Sequence, residues 1–212
     1  MNEWKPKSIY ISRNNKHYEG YALSYYYKKE GEHERLPLAE EIVKIKQKVW
    51  QFSKSGKIIG YLNKFFRLNP KLFVDIDLIT YVPSNIYSNN RMGNLAKYIA
   101  DKLNKPLYNL ITCSSTSSNY HTQKEFTKEY QEKLKKFDIK DEASRISKKN
   151  VLLIDDICTT GATLFVCASK LDEFSPANIT LFTLCTSRNQ YNGFDNEEKE
   201  NQNDSFEEDL PF

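Results

Sequence analysis

Histidine and cysteine are scarce, with three and four in 212 residues. His17, His33 and His121 stand far apart, without the spacing of metal ligands. Cys113, Cys158, Cys167 and Cys185 form no C-x-x-C pair, which argues against a zinc ribbon or a thioredoxin-like motif. Three of them lie in or beside apolar runs and read as small buried hydrophobes. No run approaches the roughly 18–20 apolar residues of a membrane span. Met1–Tyr10 has no apolar core of the kind a signal peptide needs. The expectation is a cytoplasmic chain with no membrane association. No internal repeat is visible. The pattern G-x-x-x-x-G-K-[ST] is absent too, which excludes a Walker A loop.

What is present suits one domain, or one domain with an appendage. Apolar residues make up 39% and aromatics 13%, enough for a packed core. The formal charge of +3 is unevenly spread. Asp195–Phe212 holds eight acids and one lysine, a net of −7, so the remainder carries +10. A basic body suits a phosphorylated ligand or nucleic acid, and charge alone does not choose between them. The basic residues form no dense cluster and no recognised DNA-binding motif is present, so direct nucleic-acid binding is the weaker reading.

Ser8–Ser12 and Tyr21–Tyr27 read as two strands around a polar turn at Arg13–Gly20. Leu38, Ile42, Ile45, Val49 and Phe52 mark one face of a helix, with Pro37 where a first helical turn tolerates it. Ile58–Phe66 reads as a short helix, and Leu72–Val82 as a strand. Met92–Leu103 is next, a helix ended by Asn104 and Pro106. Leu107–Ile111 reads as a short strand and Cys113–Thr122 as a polar loop. Phe126, Tyr130, Leu134 and Phe137 mark another helix. Val151–Ile154 is continuously apolar, as in a strand buried on both faces. Ala162–Phe174 is a helix and Asn178–Cys185 a strand. From about residue 72 strands and helices alternate, which predicts an α/β domain with a mostly parallel sheet flanked by helices. The expected division is residues 1–70 as a hairpin and helical appendage, 71–192 as the α/β domain, and 193–212 as an acidic, disordered tail.

The informative stretch is Val151–Thr163, which reads VLLIDDICTTGAT. Its apolar run delivers the two acids and the polar turn to a strand's carboxyl end, where ligands of such sheets bind. Asp155 and Asp156 are adjacent carboxylates. They can accept hydrogen bonds from two vicinal ribose hydroxyls or hold hydrated Mg²⁺ through water. The hydroxyl-rich turn Thr159, Thr160, Gly161, Ala162, Thr163 then opens a helix. Its backbone N–H groups and threonine hydroxyls can surround a phosphate. An ordinary buried strand before a Thr-capped helix would not need two acids and T-T-G-A-T in this order.

This stretch resembles the phosphoribosyl-pyrophosphate motif of type I phosphoribosyltransferases. The chain is most similar to the ComF (competence protein F) and amidophosphoribosyltransferase-like group, over roughly Asp75 to Arg188. In that group an earlier strand ends in a V-P element that opens a pyrophosphate loop, and Val82-Pro83-Ser84-Asn85 stands at that place. An arginine and an asparagine come next there, before a helix; Arg91 and Asn94 match. The resemblance implies that Ser84, Asn85 and Arg91 contact pyrophosphate. It implies that Asp155 and Asp156 are the catalytic pair holding the ribose hydroxyls and Mg²⁺, and that Thr159 to Thr163 hold the 5′-phosphate. The implied reaction transfers a phosphoribosyl group from phosphoribosyl pyrophosphate to an acceptor and releases pyrophosphate.

The pattern also departs from the group. Its cysteine-rich zinc element is missing. The arginines expected before Gln123 are replaced by serines and threonines, with Lys124 and Lys128 as substitutes. The purine-salvage members often carry an acid where Thr159 stands, which argues against a 6-oxopurine acceptor. Thr186, Ser187 and Arg188, just past a strand end, are candidates to line the acceptor site.

The final residues, DSFEEDLPF, are similar to the C-terminal tip of bacterial single-stranded-DNA-binding proteins. Asp209, Leu210, Pro211 and Phe212 are therefore candidate contacts to a protein that recognises such tips. Three readings stay open: a catalytic phosphoribosyltransferase; a non-catalytic phosphoribosyl-ligand sensor or adaptor; and an accessory factor of bacterial DNA metabolism, in competence, repair or phage defence. A homodimer is compatible with each.

Overall fold

The computed structural model describes residues 5–13, 15–28, 34–47, 55–84, 90–114, 130 and 133–187. Strands β1 (Lys7–Arg13) and β2 (Lys16–Tyr25) open the chain. Helices α1 (Pro37–Gln47) and α2 (Gly56–Leu68) come after them. Then come β3 (Leu78–Tyr81), α3 (Arg91–Leu103), β4 (Ile111–Cys113) and β5 (Phe137–Ile139). Strand β6 (Asn150–Cys158), α4 (Ala162–Asp172) and β7 (Asn178–Thr186) complete the described elements.

The main sheet has five strands in the order β1-β2-β7-β6-β3. All of its neighbours pair in parallel except β1 with β2, which form an antiparallel hairpin. This is the expected α/β fold with a mostly parallel, helix-flanked sheet. The hairpin extends that sheet, because β2 pairs with β7 from Glu19–Thr180 to Tyr25–Thr186. Strands β4 and β5 form a separate two-stranded sheet.

Alternation of side chains along the strands builds two cores. Leu152, Ile154, Phe182 and Leu184 face one side, where α1, α2 and α3 pack. Val151, Leu153 and Leu181 face the other, against α4 and the small sheet. Phe65, Phe66, Phe73 and Phe182 form an aromatic knot with centroids 5.5–6.3 Å apart. In the first helix Leu38, Ile42 and Ile45 are buried as their spacing predicts. Val49 and Phe52 lie outside the described residues.

Several expected boundaries need correction. The polar segment after Arg13 is a tight turn, with Asn15 at φ 62°, and His17 to Gly20 already belong to β2. Leu72–Val82 is not one strand. Pro70–Phe73 is a 3₁₀ turn, and β3 starts only at Leu78. There Asp77 fastens to Asn150 twice, donating from its N–H to the Asn150 carbonyl (2.8 Å) and accepting the Asn150 N–H at Oδ2 (2.8 Å). Phe73 and Ile76 are buried, so their apolar character serves the core from a turn. Leu107 makes one isolated bridge to Ile79, and the neighbouring strand is Ile111–Cys113. Phe137 opens β5 instead of ending a helix; residues 133–136 are helical and Phe126 lies outside the described residues. Helix α3 ends as expected, at Asn104 in a left-handed conformation (φ 52°).

Candidate active site

Strand β6 runs further than its apolar stretch, so Asp155 and Asp156 are still in the sheet, with Asp155 opposite Thr183. Successive strand residues point to opposite faces. Asp156 shares the face of Leu152 and Ile154, towards the α1–α3 layer. Its carboxylate receives the Lys46 ammonium of α1 at 2.7 and 2.8 Å on its two oxygens. Asp155 shares the face of Val151 and Leu153, and its Oδ1 accepts the Asp156 N–H at 2.8 Å. The two carboxylates thus diverge from one point instead of lying side by side.

Burial pushes the Asp155 carboxyl up to about 7, and the neighbouring Asp156 charge adds to this, while the Lys46 charge opposes it. On the same side, burial pushes the Cys167 thiol well up, helped by Asp155. Cys158, Cys167 and Cys185 are all buried, as expected of small hydrophobes.

After Cys158 the chain turns through Thr159, Thr160 and Gly161 into α4. Gly161 has φ 83°, a left-handed conformation that disfavours a side chain. A Cβ there would also stand 2.7 Å from the Ile11 Cδ1. No side chain caps the start of α4 in the N-cap manner; Thr160 Oγ1 accepts the Ala162 N–H at 3.3 Å. The positive end of the helix dipole therefore faces the mouth of the loop, with the Ala162 N–H held by Thr160. Ser187 braces the loop from the end of β7. Its N–H donates to the Cys158 carbonyl at 2.8 Å and its hydroxyl to the Thr159 carbonyl at 2.7 Å. Thr186 is fully buried, and Arg188 lies outside the described residues. These bonds make Ser187 a strut of the loop.

Strand β3 ends beside β6: Tyr81 pairs with Ile154, and the Val82 N–H donates to the Ile154 carbonyl at 2.9 Å. Pro83 and Ser84 come next, half-buried. Asn85 lies outside the described residues, as do Gln123, Lys124, Lys128, Asp209, Leu210, Pro211 and Phe212. Arg91 opens α3 and is only 8% exposed. Its guanidinium donates to the Lys46 carbonyl at 3.1 Å. Asn94 donates its backbone N–H to the Asn90 carbonyl.

Lys46 is the residue that sequence reasoning missed. It sits 110 positions from Asp156, and nothing in a lysine-rich helix end marks it. A groove of about 700 Å³ lies away from this loop, between Lys64, Arg67, Phe73, Val74 and Lys105. Its size gives it no chemistry, whereas the loop brings carboxylates, hydroxyls and a helix N-terminus together. Among the described residues no group of three or more His, Cys, Asp or Glu is placed to hold a metal. Nor is any helix there long and apolar enough to cross a membrane.

A family model described as the phosphoribosyl transferase domain matches residues 94–210, more than half of the chain. The chain belongs to the phosphoribosyl transferase domain family. No curated protein matches it. Solved phosphoribosyltransferase structures resemble it at a distance. An adenine phosphoribosyltransferase is 14% identical over 65% of this chain and 74% of that one, with a TM-score of 0.41. A hypoxanthine-guanine-xanthine phosphoribosyltransferase is 20% identical over 57% and 58%, with a TM-score of 0.31. An allosteric regulatory enzyme of purine biosynthesis is 17% identical over 55% of this chain, with a TM-score of 0.39, and only 23% of that longer chain is covered. Likeness at this level has no bearing on substrate.

Proposed function

We propose that this phosphoribosyltransferase-domain protein binds phosphoribosyl pyrophosphate and transfers its phosphoribosyl group to a nucleophilic nitrogen of a nucleobase or amine. The observation that carries this reading is the end of β6. There two carboxylates pass directly into a glycine-bent loop and an uncapped helix N-terminus. That helix end and Thr159 to Thr163 suit the 5′-phosphate. Asp155 and Asp156, opening to either side of β6, suit the ribose hydroxyls. Ser84, Asn85 and Arg91 suit the pyrophosphate, and Arg91 would have to exchange the Lys46 carbonyl for it.

In the reaction the bond from the anomeric carbon to pyrophosphate breaks, and its electron pair leaves with the pyrophosphate oxygen. The acceptor nitrogen forms the new bond and gives up its proton to water. The chain's part is to hold the sugar and phosphate rigidly while positive charge grows on the ribose, which the carboxylates stabilise. Among the described residues no cluster of three ligands stands here; an ion arriving with substrate oxygens would be held through water by Asp155 or Asp156. Bound in this way, Mg²⁺ would supply positive charge against the leaving pyrophosphate.

We read residues 1–70 as the part that lays α1 over the site, 71–192 as the transferase unit and 193–212 as a recruiting tail for a tip-recognising partner. Within this reading the stretch from about Asp75 to Arg188 is assigned to the ComF-like group of bacterial DNA metabolism, without that group's cysteine-rich zinc element. A sensor or adaptor without turnover is the second reading, favoured by the lack of arginine across Thr112–Gln123. The test is pyrophosphate release by the full chain with Mg²⁺ and a panel of nucleobase and amine acceptors. Acceptor-dependent release, lost in Asp155→Asn/Asp156→Asn, supports transfer. Tight substrate binding with no release from any acceptor supports the sensor.

A further inference from the structure

Lys46 is held at both ends by the two halves of the proposed site. Its ammonium sits on both oxygens of Asp156, at 2.7 and 2.8 Å, on the ribose side. Its carbonyl accepts from the buried Arg91, at 3.1 Å, on the pyrophosphate side. The strands behind these contacts are neighbours, since β3 and β6 pair in parallel and β3 ends opposite Ile154, two residues before Asp156. A single residue at the carboxyl end of α1 therefore spans the junction where a sugar and a diphosphate would meet. Lys46 remains 38% exposed at its side chain, whereas Asp156 is 16% exposed. The flexible lysine stem is thus the partner free to swing.

Resting on the phosphoribosyl pyrophosphate reading of the site, we propose that Lys46 is a substrate-contacting residue whose ammonium exchanges the Asp156 carboxylate for the diphosphate of the substrate. Without ligand, Lys46 neutralises Asp156 and keeps it from standing as a bare carboxylate beside Asp155. When the ribose hydroxyls take over Asp156, the ammonium is released next to the leaving group. It then supplies a cation in a chain whose Thr112–Gln123 stretch contains no arginine. The N-terminal segment thereby contributes a cation to the site from outside the family domain, which is matched from residue 94 onwards.

The exchange predicts opposite effects on two ligands. Phosphoribosyl pyrophosphate carries the diphosphate, whereas ribose 5-phosphate has the same diol and 5′-phosphate without it. The full chain is titrated calorimetrically with each, with Mg²⁺ present, as wild type, Lys46→Met and Lys46→Arg. Lys46→Met should bind phosphoribosyl pyrophosphate about tenfold or more weakly, the scale of one charge-assisted hydrogen bond lost. It should bind ribose 5-phosphate at least as tightly as wild type, because Asp156 no longer has to give up a partner. Lys46→Arg keeps the charge and should keep the preference for the diphosphate ligand. Thermal melts establish that each variant is folded, and Lys46→Gln is the second neutral variant if methionine upsets folding.

Equal weakening of both ligands would mean that Lys46 only supports the fold, which overturns the proposal. Unchanged or tighter binding of phosphoribosyl pyrophosphate would make Lys46 a mere competitor for Asp156, which overturns it as well. Failure of the underlying site reading has a different signature: folded wild type binds neither ligand.

Discussion

Replacing Asp155 by asparagine should stabilise the protein near neutral pH while removing a carboxylate proposed to bind ligand. Burial, and next the Asp156 charge, push the Asp155 carboxyl up to about 7 in the fold against an ordinary value of 3.8. Between those two values the folded state keeps a proton that the unfolded chain has released. Unfolding then gives up protons, so stability falls as pH rises from about 4 to about 7 and stays at its lower level above that. A gap of about three pH units corresponds to about 4 kcal/mol. Asparagine escapes this cost and its side-chain oxygen can still accept the Asp156 N–H, but it loses the attraction to Lys46. A net gain of about 2–4 kcal/mol at pH 8 is expected, or roughly 5–15 °C in Tm for a chain of this size. Thermal unfolding monitored by circular dichroism between pH 4 and pH 8 measures it. The two melting curves should converge near pH 4 and separate as pH rises. A variant whose Tm tracks wild type at every pH, or falls below it at pH 8, would refute the burial argument.

Two glycines give sharper structural tests. Gly161→Ala places a side chain at φ 83°, costing about 1–2 kcal/mol, and distorts the loop; chemical denaturation should show the loss and calorimetry a weakened phosphate ligand. Gly20→Ala would set its Cβ 1.9 Å from the Leu181 carbonyl oxygen, where only backbone could yield. It should cost at least the ~1–3 kcal/mol of an overpacked core and disturb β2–β7 pairing, read as a lower denaturation midpoint; a wild-type midpoint would show that the two strands have room.

The parts of this fold that were legible in sequence are those where one physical signal dominates. Four apolar residues at Val151–Ile154 announce a buried strand, and two acids before T-T-G-A-T announce a turn into a helix. The spacing of Leu38, Ile42 and Ile45 announces a helix face. Leu72–Val82 misled because the same apolar residues serve two purposes. Phe73 and Ile76 fill the core from a turn, and only Leu78–Tyr81 form the strand. Within the site, the loop is a local feature and was readable. The divergence of Asp155 and Asp156 arises because the strand continues to Cys158, which an apolar run ending at Ile154 does not show. Lys46 was illegible because its partners, Asp156 and Arg91, are set by tertiary packing of α1 against the sheet. The expectations for Asn85 and for Asp209–Phe212 fall outside the described residues.

The central claim is that the end of β6 is a phosphoribosyl pyrophosphate site. Calorimetric titration of the full chain with that ligand and Mg²⁺, for wild type and for Asp155→Asn/Asp156→Asn, tests it most directly. Binding in the micromolar range that disappears in the folded double variant is the predicted result. No binding by folded wild type, or equal binding by both proteins, would contradict it.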